Sequence, residues 1–303
     1  MPKTLVVITG PTGVGKTALS IRIAQHFSTE IVSCDSRQLF KELSIGTAVP
    51  SKHELETVPH HFIQAHSIKD NYNASRYETE ALKTLDELFQ KHDVVLMVGG
   101  SMLYIDAVYK GIDSMPDADP EIRVLLKKQL AEEGIESLRL QLKKLDPDYY
   151  HQVDLKNPAR IVHALEISLM TGKPYSSFRT NSKKTRPFHF IFVGLNIDRE
   201  MLHRQINLRV DKMIAAGLID EARTVYPLKH LTALNTVGYQ ELFRWFDGEI
   251  TKEKAIELIK RNSRRYARKQ ITWFRRYENM RWFDPQKTTK IIEYINEELA
   301  KYE

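Results

Sequence analysis

Thr4-Leu5-Val6-Val7-Ile8-Thr9-Gly10-Pro11-Thr12-Gly13-Val14-Gly15-Lys16-Thr17 is the stretch on which the fold turns. Its first six residues, with an apolar β-branched centre, suit a short strand buried on both faces. The next eight complete the pattern G-x-x-x-x-G-K-[ST]. Backbone N–H groups of such a loop converge on phosphate oxygens, Lys16 adds a point charge, and the Thr17 hydroxyl can ligate Mg²⁺. From Lys16 to Phe27, Ala18, Leu19, Ile21, Ile23 and Ala24 supply the apolar positions of a helix. Strand, loop and helix stand in the order a phosphate cradle requires, which a chance glycine-rich turn does not provide.

Working outward, Glu30-Ile31-Val32-Ser33 reads as a second strand. Residues 74–91 carry a helical pattern, and Asp93-Val94-Val95-Leu96-Met97-Val98 reads as a third strand ending at Gly99-Gly100. The alternation predicts an α/β fold, a P-loop NTPase-like parallel sheet flanked by helices. From residue 116 to 184 the pattern changes to charged amphipathic helices, such as 121–133 and 160–170, punctuated by Pro120, Pro147, Pro158 and Pro174. This is expected to be a helical insertion domain. Phe188-His189-Phe190-Ile191-Phe192-Val193-Gly194-Leu195 returns to strand chemistry and should rejoin the sheet before a mostly helical C-terminal third. The expected division is a catalytic core of 1–115 and 185–303 and an insertion of 116–184.

Across 303 residues, 42% hydrophobic and 28% charged is ordinary globular composition, which argues against disorder. Cys34 is the single cysteine, so an intramolecular disulfide and a cysteine-based zinc module are both excluded, and a reducing, cytoplasmic setting is expected. The N-terminal apolar stretch is too brief for a signal segment or a membrane span. No dimer seam stands out, so a monomer is expected. The net charge of +6 is unevenly spread: residues 251–282 hold eleven Lys or Arg and three Glu, while the rest of the chain is slightly acidic. One concentrated basic patch is the footprint of a polyanion partner. On a helix, Ile256, Ile259, Ala267, Ile271 and Phe274 form one stripe. Arg261, Arg264, Arg265, Arg268, Lys269, Arg275 and Arg276 gather opposite, with no acid among residues 258–277. A solvated face of that composition repels itself, so a phosphate backbone or a diphosphate accounts for it better.

Asp35, in Ser33-Cys34-Asp35-Ser36-Arg37-Gln38, falls at the carboxyl end of the second strand, where open α/β sheets place ligand-facing loops. It is the leading candidate base, with a plain helix N-cap as the alternative. Gly99-Gly100-Ser101 offers close backbone approach and a hydroxyl at the same edge, or a simple strand-to-helix turn. His53, His60, His61 and His66 lie close in sequence but lack the helical pairing of a metal site. Pro59-His60-His61 reads as a loop, so solvated or hydrogen-bonded histidines are expected.

Together these pieces resemble the tRNA dimethylallyltransferase family, also called tRNA isopentenyltransferase. The resemblance spans nearly the whole chain. It rests on residues 10–17, Asp35-Ser36-Arg37-Gln38, Ile45-Gly46-Thr47-Ala48, Pro59-His60-His61, Gly99-Gly100-Ser101-Met102-Leu103-Tyr104, and Arg160-Ile161-Val162-His163-Ala164-Leu165-Glu166. Arg209-Val210 with Met213, Gly217-Leu218, Val237-Gly238-Tyr239, Tyr266-Ala267-Arg268-Lys269-Gln270 and Thr272-Trp273-Phe274-Arg275 complete it. Ser101 stands where the family commonly has Thr and keeps the hydroxyl; His163 stands where it often has Arg.

The resemblance implies transfer of a dimethylallyl group from dimethylallyl diphosphate to the exocyclic N6 of adenosine 37, beside the tRNA anticodon. Gly10, Pro11, Thr12, Gly13, Val14, Gly15, Lys16 and Thr17 would then hold a diphosphate leaving group. Asp35 would accept the N6 proton, Thr17 would help place Mg²⁺, Lys16 and Arg209 would stabilise departing diphosphate, and Ser101 would orient the base or the diphosphate. The anticodon stem-loop would be touched by Asp35, Ser36, Arg37, Gln38 and Ser101, by Gly238 and Tyr239, and by Arg264, Arg265 and Arg268. In the insertion, Arg123, Ala159, Arg160, Ile161, Val162 and His163 would contact it. The chemistry is physically coherent, because ionising an allylic C–O bond develops charge where N–H groups, Mg²⁺ and Arg lower a barrier. Burying the five-carbon tail would contribute about 4 kcal/mol. The rival readings are a P-loop small-molecule or nucleotide kinase and a non-enzymatic RNA-binding module.

Overall fold

The computed structural model describes residues 2–113, 115–116, 119–180 and 184–302, so residues 117–118 and 181–183 of the expected insertion lie outside the described residues. Six strands form one sheet in the order β3-β2-β4-β1-β5-β6, and every neighbouring pair is parallel. β1 (Thr4–Thr9) lies at its centre, buried along its whole length. It pairs with β4 (Val94–Gly99) from Thr4↔Val94 to Thr9↔Gly99, and with β5 (His189–Leu195) from Thr4↔His189 to Thr9↔Gly194. β2 (Ile31–Ser33) continues the sheet beyond β4. Apolar runs without alternation are stable only when both faces of a sheet are covered. Here Val6 and Ile8 share a core with Leu19 and Ile23 of α1 (Lys16–His26) and with Ile291 and Ile295 of α13 (Thr288–Ala300). α3 (Ala74–Phe89) packs on β4 and on α4 (Met102–Tyr109).

Two strands correct the sequence reading. His60–His61, expected as loop, form the short strand β3, with Ile31 opposite His60. Within the mostly helical C-terminal third, a strand that the sequence did not signal, β6 (Met280–Phe283), pairs with β5 from Phe192↔Met280 to Leu195↔Phe283. Both are too short for a period of two to register, and both lie at sheet edges where polar residues are tolerated.

The chain divides into two compact units, one running to Tyr109 and resuming at Thr185, the other Lys110–Lys184. Besides the sheet, the first contains α2 (Lys52–Thr57), α9 (Arg199–Ala215), α10 (Leu218–Val225), α11 (Tyr239–Phe246) and α12 (Lys252–Phe274). A second apolar cluster, including Leu39, Val210, Leu218, Tyr239, Leu242 and Ile259, joins α9, α10, α11 and α12 to the segment after β2. The other unit is built from α5 (Pro120–Glu133), α6 (Ile135–Leu145), α7 (Pro147–Tyr150) and α8 (Pro158–Thr171) around Leu126, Leu138, Leu142, Ile161 and Leu165. Local signals bound α8: the Asn157 side chain accepts from the Arg160 N–H, Pro158 occupies the first turn, and Gly172 closes the helix at φ +66°. Among the described residues no helix is long and apolar enough to cross a membrane.

Candidate active site

The loops following β1, β2 and β4 meet at the carboxyl edge of the sheet. Gly10 leaves β1 at φ +154°, and a Cβ there would stand 2.5 Å from the Leu195 carbonyl oxygen, so the loop can pass β5 only as glycine. Lys16 Nζ donates to the carbonyls of Gly10 and Pro11, 2.9 Å each. Burial, then the neighbouring Arg209 guanidinium, bring its pKa down to about 8, while Asp35 pulls the other way. Of residues 10–17, expected to hold the diphosphate, not every one has a free backbone donor. Pro11 has no N–H, that of Thr12 donates to Gln270 Oε1 at 2.8 Å, and that of Val14 donates to the Pro11 carbonyl at 3.3 Å. The donors left to a phosphate are those of Gly13 and residues 15–17, the last two at the α1 N-terminus where no intrahelical acceptor exists.

Asp35 Oδ1 accepts the N–H groups of Arg37 at 2.9 Å and Gln38 at 3.2 Å. Residues 36–39 are turns, so Asp35 closes an Asx-type turn and caps no helix. Arg37 donates to the Ala233 carbonyl at 2.9 Å; burial lowers its pKa and Asp35 opposes the shift. Gln38 Nε2 donates to the carbonyls of Thr47 and Ala48, which commits its amide nitrogen to holding that turn and away from a nucleotide. The Ser101 N–H donates to the Cys34 carbonyl at 3.2 Å, tying the loop after β4 to the one that carries Asp35. Burial pushes the Cys34 thiol up, so it stays protonated and unreactive.

Asp35, Arg37 and Ser101 face a cavity of about 310 Å³. Its lining mixes polar residues, Thr12, Asp35, Ser36, Arg37, Ser101 and Arg209 among them, with the apolar Ile206, Val210 and Met213 of α9 and with Leu218, Val237 and Ile259. α9 is capped by Asp198, whose carboxylate accepts the N–H groups of Glu200 and Met201, and its i, i+4, i+7 positions put three apolar side chains on the cavity beside Arg209. Burial lowers the Arg209 pKa, against Asp35. Arg209 also borders a second cavity of about 350 Å³ with Ile45, Lys212 and Met213. Lys16 and Thr17 sit back in the loop and do not line the first cavity. Ile206, Ile259, Ser263 and Tyr266 do line it and carried no assignment from sequence. The helical spacing of the isoleucines was visible, but it is the same signal that a core stripe gives. The Tyr266 phenol, pushed up to about 12 by burial and then by Asp35, remains a donor at neutral pH.

Several residues expected to contact RNA are engaged in holding the fold. Tyr239 is fully buried and its hydroxyl donates to Glu221 Oε1 at 2.6 Å, leaving Gly238 alone of that pair on the cavity. Ile161 and Val162 belong to the core of the insertion. Arg123 Nη2 donates to Glu166 Oε2 at 2.7 Å, and Glu166 is wholly buried. His163 Nδ1 lies 3.7 Å from the same oxygen; burial lowers its pKa and Glu166 opposes. Ala159 and Arg160 are exposed. On α12, Arg264 donates to Asn207 Oδ1 at 2.5 Å, whereas Arg265 and Arg268 face outward. The helix ends at Phe274, so Arg275 and Arg276 lie past it, with Arg276 stacked 3.6 Å from the Trp273 ring centroid. Three of the four histidines are engaged by hydrogen bonds: His60 to the Val58 carbonyl, His61 to Glu30 and His66 to Glu80. Among the described residues no three His, Cys, Asp or Glu side chains gather as a metal site.

A family model described as IPP transferase matches residues 38–277. The chain belongs to the IPP transferase family. Because the match begins after the phosphate loop and Asp35, it does not draw on the pattern that kinases share, and the kinase alternative loses its footing. Among IPP transferase relatives, a tRNA dimethylallyltransferase 1 from Bacteroides fragilis strain YCH46 is 55% identical over 293 residues, 97% of each chain. The crystal structure of a tRNA isopentenylpyrophosphate transferase from Bacillus halodurans, 33% identical, covers 99% of this chain and 97% of its own with a TM-score of 0.72. A eukaryotic dimethylallyltransferase acting on tRNA, 24% identical, shares the fold at a TM-score of 0.83 over 99% of this chain and 80% of that one.

Proposed function

We propose that this IPP transferase is a tRNA dimethylallyltransferase that moves the dimethylallyl group of dimethylallyl diphosphate onto N6 of adenosine 37. The observation that carries the reading is a cavity whose lining combines Asp35, Ser101 and Arg209 with the apolar Ile206, Val210 and Met213 and with Thr12 of the phosphate loop. The allylic C–O bond breaks and its electron pair leaves with the diphosphate, which the loop N–H groups, Lys16 and Arg209 stabilise. The N6 nitrogen forms the new C–N bond and gives its proton to the Asp35 carboxylate. The base must leave its stack to reach the donor carbon, and Arg37, Ser36 and Tyr266 form the polar surface it would meet.

Thr17 offers a hard oxygen at the head of α1, and that donor fits Mg²⁺ completed by diphosphate oxygens and water rather than by a protein cage. When bound, the ion would neutralise charge on the leaving group. Arg160, Arg265 and Arg268, all exposed, would meet tRNA phosphates. The protein is incubated with unmodified tRNA and Mg²⁺, and with either dimethylallyl diphosphate or ATP, and the digested nucleosides are weighed. One added five-carbon unit on an adenosine, with the diphosphate donor alone, is the expected result. Phosphate transfer from ATP, or no adduct, overturns the proposal.

A further inference from the structure

We infer that Gln270 is a positioning residue that sets the phosphate loop against the Ser101 turn and couples both to the cation-bearing helix α12. This rests on the transfer reaction proposed above. Gln270 is almost wholly buried, yet both ends of its amide are used across elements that sequence keeps far apart. Its Oε1 accepts the Thr12 N–H at 2.8 Å, and its Nε2 donates to the Gly100 carbonyl at 2.9 Å. Thr12 and Ser101, the latter next in chain to Gly100, both line the cavity, so one amide fixes the spacing between its diphosphate side and its hydroxyl.

The fit is tight. A Cβ on residue 100 would stand 2.3 Å from Gln270 Nε2, so glycine at that position is needed for the bridge rather than for a turn. Taking the Thr12 N–H also directs the loop's remaining donors, those of Gly13 and residues 15–17, toward the phosphate. Four residues before Gln270, on the same helix, Tyr266 lines the cavity, and Arg265 and Arg268 flank it on the exposed face. Seven residues after it, the Tyr277 hydroxyl donates to Asp106 of α4 at 2.7 Å, and Trp273 Nε1 donates to the same carboxylate at 3.0 Å. Gln270 is therefore a direct tie between α12 and the diphosphate loop.

Two variants separate positioning from mere support. Gln270→Met keeps the volume and loses both hydrogen bonds. Gln270→Glu keeps the acceptor for Thr12, and only its protonated form can donate to the Gly100 carbonyl; the ionised form faces that oxygen in repulsion. Burial raises a carboxyl pKa, so in Gln270→Glu the bridge returns as pH falls. With the parent enzyme transferring in the same assay, Gln270→Met should raise the KM for dimethylallyl diphosphate about tenfold and lower kcat, with tRNA Kd within about twofold of the parent. Gln270→Glu activity relative to the parent should climb as pH is lowered from 8 toward 6, a response that lost packing does not produce. If Gln270→Glu shows no such recovery, or both variants keep donor KM and kcat while only melting earlier, Gln270 is a structural tie and the inference falls. A parent without transfer activity would instead sink the functional reading. Should Gln270→Met not fold, the pH profile of Gln270→Glu decides alone.

Discussion

Residues 35–38 and 160–166 both carry the family resemblance in sequence, yet they spend their side chains differently. In the first run Asp35, Ser36 and Arg37 all line the cavity, and Gln38 holds the neighbouring turn. In the second, Ile161, Val162, Ala164 and Leu165 fill the core of the insertion, Glu166 is buried against Arg123, and Arg160 alone extends a charge into solvent. The cause is geometric. A loop at a sheet edge owes no periodic share of its residues to a core, whereas a helix packed on two neighbours owes at least every third or fourth. A motif on such a helix marks a fold requirement first and a contact second.

The sharpest way to break this contrast is Asp35→Asn, which keeps shape and the turn hydrogen bonds but cannot take a proton. Single-turnover transfer should fall at least about a hundredfold, with tRNA affinity nearly preserved. Normal turnover would reduce the loop to the same structural role as the helix.

Lys16 offers a pH test with two opposite signs. Its folded pKa of about 8 lies below the ordinary 10.5, so the folded chain is penalised while the lysine is protonated. That penalty is full below about 8 and fades as pH rises toward 10.5, raising stability. Anion binding runs the other way: kcat/KM for the donor should fall as pH rises through about 8, and Lys16→Arg should shift that fall upward, because a guanidinium does not deprotonate there. A flat profile in the parent between pH 7 and 9 would remove Lys16 from diphosphate binding.

Within the insertion, Arg123→Ala and Arg160→Ala should separate cleanly. Arg123→Ala leaves a buried carboxylate without its partner; with the arginine side chain itself 44% exposed, about 1–3 kcal/mol of stability is expected, below the loss for a fully buried pair. Arg160→Ala should leave melting unchanged and flatten the salt dependence of tRNA binding by about 0.7 in slope. The reverse pattern, a stable Arg123→Ala with weak tRNA binding, would make the helical run a contact surface after all.

The strand, phosphate loop and helix at residues 4–26 were legible because apolar content, glycine spacing and helical period agree there. Asp35 and Ser101 could be placed from their strand ends, since the carboxyl edge of a parallel sheet collects ligand-facing loops. Arg209 entered only through resemblance, being one cation among several on a helix without an obvious apolar face. Tyr239 misled because a tyrosine beside glycine suits a recognition loop as well as a core, and its Glu221 partner lies eighteen residues upstream. The polar edge strand β3 and the short β6 carried no period to detect. Gln270 could not be found at all from its own surroundings, since its partners Thr12 and Gly100 are 258 and 170 residues away.

The pairing of β1 with β5 joins Thr4 to His189, and the sheet is finished only by β6 at residues 280–283. During synthesis, β1 must therefore wait for β5, at residues 189–195, before its second edge is covered, and β5 in turn waits for β6. Closing a gap of that length is slow for an unstructured chain, and exposed parallel edges invite aggregation meanwhile. The stretch in between does not stay slack: residues 110–184 contain their own core, and by condensing early they would shorten the span that must be closed. Pulse-labelled amide exchange during refolding should accordingly protect α5, α6 and α8 before β5. The insertion would then speed assembly of the nascent chain, a service rendered before any tRNA is met.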